Sequence, residues 1–415
     1  MNLKMTSSKV INKCQICASN ELFEILDLGY LPSVNDFQDF DKSQNEQLFF
    51  PSKLLQCKKC KLVQLSCIVD KEVLFPSSYP YTSSTTKILR ENFSDLSNEV
   101  DDIIDLNSSK LVCDIGSNDG NLLSYFLGKS KVVGITPEEI GKIAIDKGIP
   151  TIINYFNKHS VEEVIKNYGK PDVVTATNVF AHIDNPNMVM ENIALLLKTD
   201  GIFVIEVHYL KSLIELNQYD TIYHEHMRYY SLESINNLLS SHGFNIFKVK
   251  LINTHGGSIR IFASTSSNYE IDKSFKQILD EEKDFLYGDK NVSKYKHVVQ
   301  NQKMDLIKTL IDLKENGNII SAVGAPSRGT TLMNFCGIDK SLISNICEIK
   351  GSHKIGKYMP GTSIPVVDES ILFEDQPDYV LLLSWHISEE LIRNLRKKGL
   401  KSKFIIPLPT VKIID

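Results

Sequence analysis

The sequence predicts an α/β protein made of three successive parts, and three observations support this fold class. Two Cys-x-x-Cys pairs lie within the first 60 residues, and strand–glycine turn–helix patterns begin near residues 110 and 318. Alternating strands and helices after such a turn are typical of a doubly wound sheet. We place the boundaries of the N-terminal module, the central core and the C-terminal domain at 1–78, 79–268 and 269–415.

The composition is that of an ordinary globular protein and argues against several functions. The 415 residues are 42% hydrophobic and 23% charged, with a formal net charge of −5. Nucleic-acid binding needs clustered Lys and Arg, so we expect no nucleic-acid partner. No apolar leader core or bilayer-length run is present. We therefore expect a cytoplasmic monomer with no membrane association.

The N-terminal part carries four cysteines in two pairs, Cys14-Gln-Ile-Cys17 and Cys57-Lys-Lys-Cys60. Two such pairs supply the four thiolates of a tetrahedral zinc site. Because protein thiolates fill every ligand position, the predicted zinc is structural. Strands are predicted between the pairs at 23–28 and 48–55. The isolated cysteines, which we expect to be small buried side chains, are Cys67, Cys113, Cys336 and Cys347.

Residues 75–86 form a segment rich in proline and hydroxyl-bearing residues, Phe-Pro-Ser-Ser-Tyr-Pro-Tyr-Thr-Ser-Ser-Thr-Thr. This composition opposes regular structure, so we predict a loop. Tyr79 and Tyr81 in this loop are either site residues or packing residues, and the local sequence does not choose between them.

The central part opens on a strand pattern at 110–115 that runs into Gly116-Ser-Asn-Asp-Gly120 and then into a helix pattern. Glycines let the backbone approach a ligand, and a helix N-terminus offers free N–H groups. Asp114 and Asp119 oppose a pyrophosphate but suit a sulfonium ligand that carries an amino group. The pattern resembles the first motif of class I S-adenosylmethionine (SAM) methyltransferases. The alternative is a plain nucleotide-fold turn.

Further strand patterns continue the doubly wound order at 131–135, 151–154, 172–177 and 201–207. A helix pattern with Ser231 as its N-cap then precedes two closing strands at 245–251 and 258–263. Ligands in such sheets bind beyond the carboxyl ends of the strands. This rule brings together the Gly116 loop, Thr136, 178–182 and 206–208.

Residues 223–230, Tyr-His-Glu-His-Met-Arg-Tyr-Tyr, contain two histidines, a carboxylate and three phenols; we call them the octet. Neither a period of 3.6 nor a period of 2 gives this stretch an apolar face. Proton donors and acceptors at this density suit a catalytic site, while the alternative is a surface loop that covers the core. The octet follows the strand ending near Val207, so it can reach the same crevice.

The C-terminal part has apolar stripes at helical spacing over 271–317, and a second strand–loop–helix begins at 318. This loop suits a phosphate group, which can accept hydrogen bonds from backbone N–H groups, a serine hydroxyl and a charged guanidinium. The residues concerned are Gly324, Ser327, Arg328 and Gly329. Strand patterns at 379–383 and 404–406 complete a smaller α/β layer. The alternative is an inert cap that only closes the crevice.

Taken together, these motifs resemble the nucleotide-sugar C-methyltransferases that act on 4-keto-6-deoxyhexoses. The shared segments, which cover nearly the whole chain, are the paired Cys-x-x-Cys, Asp114 to Gly120, Tyr223 to Ser231, His255-Gly-Gly-Ser-x-Arg260, Gly324 to Asn334 and Pro360 to Pro365. The resemblance implies a zinc-binding module, a class I SAM methyltransferase core with a Rossmann-like sheet, and a C-terminal Rossmann-like domain that binds the nucleotide sugar. The implied reaction is SAM-dependent methyl transfer to C3 of a nucleotide-linked 4-keto-6-deoxy sugar.

The resemblance also implies roles for individual residues. His226 is the implied catalytic base, assisted by Tyr223 and Glu225, with His182 or His224 as competing bases. One of Tyr79 or Tyr81 matches a further site tyrosine. The implied SAM-binding residues are Asp114, Gly116, Asn118, Asp119, Gly120, Thr136 and Asn178. The residues expected to bind a dTDP- or GDP-linked sugar are His255, Arg260, Ser327, Arg328 and Asn334.

The chemistry gives these roles a physical reason. A carbon next to a ketone becomes nucleophilic only after it loses a proton, and a neutral imidazole is a suitable base near pH 7. The developing enolate oxygen needs hydrogen-bond donors, which a phenol or a second imidazole can supply. We expect His224, Tyr229 and Tyr230 to be packing residues.

Three positions depart from the family pattern. Thr136 stands where such enzymes commonly place the acid that holds the ribose hydroxyls of SAM, so Glu138 or a water would take that role. Arg328 stands where lysine is common and His386 where asparagine is common, and either change can retune sugar or nucleotide preference. Two alternatives therefore stay open: methylation of oxygen or nitrogen, and a zinc-bearing binding protein with a degenerate methyltransferase fold.

Overall fold

The computed structural model describes residues 7–42, 46–74, 87–137 and 139–415. Tyr79, Tyr81 and Glu138 therefore lie outside the described residues. Within those four ranges, no helix is both long and apolar enough to span a bilayer.

The N-terminal module is a small antiparallel β structure. Its elements are β1 (Ser8–Val10), β2 (Leu22–Pro32), β3 (Gln38–Asp39), a 3-10 turn (Phe40–Lys42), β4 (Phe49–Cys57), β5 (Val63–Leu65), β6 (Cys67–Val69) and helix α1 (Lys71–Leu74). Strand β4 pairs with β2 on one side and β5 on the other, while β1 pairs with β6. Burial alternates residue by residue along most of β4, which is the pattern of a half-buried strand. The two strands predicted between the cysteine pairs are confirmed as β2 and β4.

The central part is a seven-stranded sheet with helices packed on both faces. Its elements are α2 (Lys87–Ile104), β7 (Leu111–Ile115), α3 (Asn121–Ser124), β8 (Lys131–Thr136), α4 (Gly141–Asp146), β9 (Thr151–Ile153), α5 (Lys158–Tyr168), β10 (Val173–Thr177), α6 (Pro186–Leu196), β11 (Ile202–His208), α7 (Leu210–Glu215), a 3-10 turn (Tyr219–Thr221), β12 (Arg228–Tyr229), α8 (Leu232–Ser240), β13 (Asn245–Ile252), a 3-10 turn (Thr254–Gly256) and β14 (Ser258–Ser264). The strand order is β13-β14-β11-β10-β7-β8-β9, and only the pairings of β14 are antiparallel. Each predicted strand of this sheet is confirmed to within one residue at each end.

The central strand β7 shows why the sequence forms this sheet. All five of its residues are buried, as expected for a strand covered on both faces. Leu111 and Cys113 pack in a cluster with side chains of α5 and α6, whereas Val112 packs with those of α2 and α3. The predicted N-cap Ser231 is also confirmed, because its Oγ accepts the Ser234 N–H at 3.1 Å.

The C-terminal part is a second α/β layer preceded by two helices. Its elements are α9 (Lys273–Lys283), a π turn (Asp284–Gly288), α10 (Asn291–Glu315), β15 (Ile320–Val323), α11 (Ser327–Cys336), β16 (Ile346–Glu348), β17 (Lys357–Tyr358), β18 (Pro365–Asp368), α12 (Ser370–Asp375), β19 (Tyr379–Leu382), a 3-10 turn (Trp385–Ile387), α13 (Ser388–Lys397), β20 (Lys403–Ile406) and β21 (Lys412–Ile414). The sheet order is β21-β20-β19-β15-β16-β18-β17-β3. The prediction of strands at 379–383 and 404–406 is confirmed by β19 and β20, whereas β16, β17, β18 and β21 were not predicted.

Two short strands join the three parts into one structure. Strand β12, inside the octet, pairs with β5 of the N-terminal module, with Arg228 opposite Gln64 and Tyr229 opposite Val63. Strand β3 of the same module pairs with β17 of the C-terminal sheet. One hydrophobic cluster accordingly contains side chains from all three parts. The octet is therefore held by the module rather than lying free on the surface.

Arg260 anchors the outer helix α2 to the central sheet. Its fully buried guanidinium donates from Nε to Glu206 at 2.6 Å, from Nη1 to Asp95 and Glu99 at 3.0 and 2.9 Å, and from Nη2 to Asn92 at 2.8 Å. A guanidinium has five N–H groups, and these contacts engage its three nitrogens. We therefore assign Arg260 to the fold rather than to the substrate site, in contrast to the sequence-based expectation.

We predict that Arg260→Leu destabilises the protein by about 3–5 kcal/mol, because it leaves the Glu206 carboxylate buried without its cation. Chemical denaturation of both proteins measures this difference. The matched control is Lys250→Met, which breaks ion pairs to Asp95 and Glu99 at a half-exposed position and is expected to cost less than about 1 kcal/mol. Equal and small losses of unfolding free energy in the two variants would contradict the assignment of Arg260 to the fold.

Candidate functional site

The four paired cysteines come together in the N-terminal module. Their Sγ atoms all lie within 4.8 Å of one another, with Cys14 to Cys60 at 3.4 Å and Cys17 to Cys57 at 3.5 Å. A tetrahedral zinc with Zn–S bonds of about 2.3 Å separates its sulfur atoms by about 3.8 Å, so the cluster fits this ion. Because the four sulfur atoms fill the coordination sphere, the zinc is structural.

The zinc cluster is tied directly to the central part of the chain. The side chain of Asn237 donates to the Cys60 carbonyl at 3.3 Å, and that of Asn187 donates to the Ile16 carbonyl at 2.9 Å. Between these ties, Leu65 N–H donates to the Met227 carbonyl in the octet at 3.0 Å. The metal knuckles thus brace the strand that pairs with the octet.

The glycine turn after β7 has the shape of a ligand cradle. Gly116 has φ +73°, and a Cβ there would lie 2.5 Å from a methyl group of Val179. The backbone at Asn118 and Gly120 also has positive φ, at 49° and 76°. Ser117 Oγ is buried with no hydrogen-bond partner in the part of the chain that the structure describes. This turn allows close approach of a ligand to the backbone, and the Ser117 hydroxyl needs a hydrogen-bond partner. Both features fit the amino-acid end of SAM.

Other predicted SAM residues surround this turn, but several are engaged with protein groups. The Asp114 carboxylate accepts the Thr175 hydroxyl at 2.6 Å, and burial raises the pKa of Asp114 to about 7. Asp119 is buried 3.8 Å from the Lys147 ammonium. The N–H of Asn178, in the left-handed region with φ 58°, donates to the Glu206 carbonyl at 2.8 Å. Asp114 therefore acts inside the sheet.

Thr136 ends β8 at the position where an acidic residue was expected. Its side chain is fully buried, and a Cβ on Gly141 would lie 2.7 Å from the Thr136 methyl group. The threonine thus packs tightly against the start of α4. A bulkier acidic side chain at this position would need Gly141 to move.

Two histidines face each other at the crevice. His226 Nδ1 lies 3.0 Å from the Thr221 carbonyl oxygen, and His182 Nδ1 lies 2.7 Å from the Glu225 carbonyl oxygen. A carbonyl oxygen only accepts, so each Nδ1 carries the proton and each neutral ring keeps its lone pair on Nε2. The ring centroids are 5.0 Å apart, and the Tyr223 ring lies 4.2 Å from that of His226. Two bases and a phenol therefore share one small volume.

The same environment keeps both imidazoles neutral. Burial lowers the pKa of His226 well below 6.5, and the neighbouring His182 lowers it further. Burial also lowers the pKa of His182, although its hydrogen bond to the Glu225 carbonyl opposes this. Both rings are thus in the form that accepts a proton near pH 7.

The rest of the octet divides into support and packing. The Glu225 carboxylate is buried and accepts the Asn35 side-chain amide at 2.7 Å. His224 points the other way: its Nε2 lies 3.2 Å from the Pro51 carbonyl oxygen, and its ring meets Phe50 edge-on. The remaining octet members Arg228, Tyr229 and Tyr230 are buried. These positions are consistent with Glu225 as a support residue and His224 as a packing residue.

Three further histidines lie close enough to Arg328 for its charge to lower the pKa of each. His208, the last residue of β11, has a buried Nε2 with no hydrogen-bond partner in the described ranges. Burial and the nearby Arg328 lower the pKa of His208 to about 3, of His255 to about 4 and of His386 to about 3. The strand-end rule placed residues 206–208 beside the other site segments, but it assigned His208 no role of its own.

The predicted substrate residues of the C-terminal loop have different surroundings. Arg328 donates from Nε and Nη2 to the Asp220 carboxylate, both at 2.8 Å, and its guanidinium lies 4.6 Å from the Trp385 ring. Ser327 Oγ lies 3.5 Å from Asn35 Oδ1, which places it beside the Asn35–Glu225 contact. The amide of Asn334 donates to the Thr330 and Pro360 carbonyls, so we assign Asn334 to the fold rather than to substrate.

Comparison with known proteins defines the class of this molecule. Residues 14–75 match the family described as "Putative zinc binding domain", 88–249 match "Methyltransferase domain", and 253–409 match "C-methyltransferase C-terminal domain". The chain is a class I SAM-dependent methyltransferase with a structural zinc module. Its sheet has the predicted doubly wound fold class.

A curated relative identifies the family. C-methyltransferase NovU of Streptomyces niveus is 30% identical over 98% of this chain and 97% of its own length. The chain belongs to this C-methyltransferase family. Among solved structures, magnesium protoporphyrin IX methyltransferase (ChlM) from Synechocystis PCC 6803 with bound SAM is 15% identical, covering 45% of this chain and 87% of its own, with a TM-score of 0.34. Plantazolicin methyltransferase BpumL is 14% identical, covering 46% and 90%, with a TM-score of 0.36.

We predict close to one zinc per chain by metal analysis of protein expressed with ample metal. Cys57→Ser removes one of four ligands and is expected to lower this content sharply. Cys347→Ala, a buried cysteine outside the cluster, should leave it unchanged. A folded wild-type protein with far less than one zinc would refute the site.

Proposed function

We propose that this protein transfers the methyl group of SAM to C3 of a nucleotide-linked 4-keto-6-deoxy sugar, through an enolate formed by His226. The observation that carries this proposal is the pair of neutral imidazoles, each with its proton on Nδ1 and with ring centroids 5.0 Å apart, at the carboxyl edge of a methyltransferase sheet. Carbon methylation needs such a base, whereas a simple hydroxyl or amine acceptor already has a lone pair. Membership of a C-methyltransferase family supports the same reaction class.

In the proposed first step, His226 Nε2 takes the proton from C3, and the C–H electron pair moves into the enolate of the 4-keto group. His226 becomes an imidazolium that keeps its Nδ1–H on the Thr221 carbonyl. In this arrangement Nε2 of neutral His182 only accepts, so the Tyr223 phenol is the donor for the enolate oxygen. The glycine turn would hold SAM, which would supply a methyl group on its sulfonium sulfur. The enolate carbon C3 would form the new C–C bond as the S–CH3 bond breaks and S-adenosylhomocysteine leaves.

The three parts of the chain have separate roles in this proposal. Residues 1–78 form the zinc module, 79–268 the SAM-binding core and 269–415 the domain that binds the nucleotide sugar. The neutral histidines near Arg328, which are His208, His255 and His386, are donors and acceptors suited to an anionic diphosphate, as is the Ser327 hydroxyl. We place the reaction in the cytoplasm, on a dTDP- or GDP-linked sugar.

Proton exchange isolates the first step. We predict that wild-type enzyme exchanges the C3 hydrogen of the keto sugar with deuterated water when SAM is absent, and that His226→Asn loses about 100-fold or more of this rate. His224→Asn, a matched change in the neighbouring packing residue, is expected to retain exchange. NMR of the sugar measures the rate. Full exchange in His226→Asn would exclude His226 as the base. If exchange is lost only in His182→Asn, the base is His182.

The proton step also predicts a pH profile. The base works in its neutral form, which exists above its pKa, and burial holds the pKa of His226 below 6.5. We therefore expect kcat/KM to stay flat down to pH 6.5 and to fall only at lower pH. Tyr223→Phe should lower the rate without moving this acid limb. A limb centred at or above pH 6.5 would contradict the assignment.

A further inference from the structure

The segment just before the octet is held by the C-terminal domain through a buried ion pair. Asp220 is fully buried, and both of its carboxylate oxygens accept N–H groups of Arg328 at 2.8 Å. Trp385 donates its indole N–H to the same carboxylate at 2.7 Å, and its ring lies under the guanidinium. A planar guanidinium that donates two hydrogen bonds to one carboxylate restricts both the distance between the two groups and their relative orientation. The Asp220 side chain therefore has a single defined position.

Further contacts restrict the backbone on both sides of Asp220. Thr331 of α11 donates its hydroxyl to the Ile222 carbonyl at 3.3 Å. The Tyr219 hydroxyl bonds to the Gln302 side chain, whose amide donates to the Pro407 carbonyl, both at 2.5 Å. All of these partners lie in the C-terminal part. The turn at Tyr219–Thr221 belongs to the central part in sequence but is clamped by the C-terminal domain.

The segment that the C-terminal domain holds is in direct contact with the proposed base, His226. Thr221 directly follows Asp220, and its carbonyl oxygen accepts the Nδ1–H of His226 at 3.0 Å. That hydrogen bond is what places the proton on Nδ1 and leaves the lone pair on Nε2. If the carbonyl moves away, His226 loses the acceptor that favours this tautomer.

We propose that Arg328, assisted by Trp385, is a positioning residue for the proton-transfer step. It holds Asp220, Asp220 holds the Thr221 carbonyl, and the carbonyl keeps His226 in the Nδ1–H tautomer with Nε2 free. Removing Arg328 leaves the Asp220 carboxylate buried without its cation, which favours movement of Asp220 and of the adjoining Thr221 out of this position. The catalytic relevance rests on the proposed role of His226, whereas the control of its tautomer does not.

Histidine-selective ¹⁵N labelling tests the inference on the full-length protein without substrate. Long-range ¹H–¹⁵N spectra distinguish a protonated from an unprotonated ring nitrogen, and His226→Asn identifies the signals of His226. We expect a single Nδ1–H tautomer in the wild type and a mixed or Nε2–H population in Arg328→Met. Arg328→Lys, which keeps a cation beside Asp220, should largely restore the wild-type pattern. Lys398→Met, which removes an exposed cation that pairs with Glu369 in the same domain, is the control.

Kinetics provides the second readout. Arg328→Met is expected to lower kcat by about 100-fold, the scale of a displaced catalytic group, with no change in SAM affinity. The variant should also move the acid limb of the pH profile, and Arg328→Lys should recover most of both effects. A purely structural role would lower the amount of folded enzyme and leave this limb in place.

The outcomes separate this inference from the proposed function. Unchanged His226 signals in folded Arg328→Met overturn the positioning role, whatever the substrate is. If that variant does not fold, Trp385→Phe and Asp220→Asn carry the same test, and unchanged signals in both overturn it. A changed tautomer with no C-methylated sugar from the wild type upholds the positioning role and refutes the proposed substrate.

Discussion

The candidate site depends on two hydrogen bonds, each from a histidine imidazole to a backbone carbonyl oxygen. The carbonyl oxygens of Thr221 and Glu225 accept Nδ1–H from His226 and His182, and this places the lone pair of each ring on Nε2. Burial then keeps the rings neutral. An imidazole without a fixed acceptor would divide between two tautomers and present a base for only part of the time. The backbone around the octet must therefore be rigid, and most of the architecture supplies that rigidity.

The octet cannot hold itself. Its only regular structure is the two-residue strand β12, so most of its hydrogen bonds come from other parts of the chain. The N-terminal module provides β5, the Pro51 carbonyl and the Asn35 amide. The C-terminal domain provides the Arg328 clamp on the preceding turn. The N-terminal module and the second α/β layer therefore both hold the segment that carries the histidines, although neither supplies a base.

Local patterns predicted the parts of the fold that depend on local chemistry. Paired cysteines predicted the metal cluster, and buried runs such as 111–115 predicted the strands, because ligand type and apolar period are properties of short segments. Arg260 was expected at the substrate but lies inside a carboxylate cluster, since the partners Asp95 and Glu206 are distant in sequence. The strand-end rule placed 206–208 at the site, but it assigned His208 no role because the neighbours of His208 in space, such as Arg328, are distant along the chain.

Residue type and spacing alone determined the three-part order, the cysteine cluster, the glycine turn and the concentration of acid–base groups in the octet. Only the tertiary structure decided how those groups are used. It pairs β12 with β5 and β3 with β17, pairings too short to leave a periodic pattern. It also sets which nitrogen of His226 carries the proton, because that depends on the position of the Thr221 carbonyl. That carbonyl is in turn placed by contacts across more than 100 residues, such as Arg328 to Asp220.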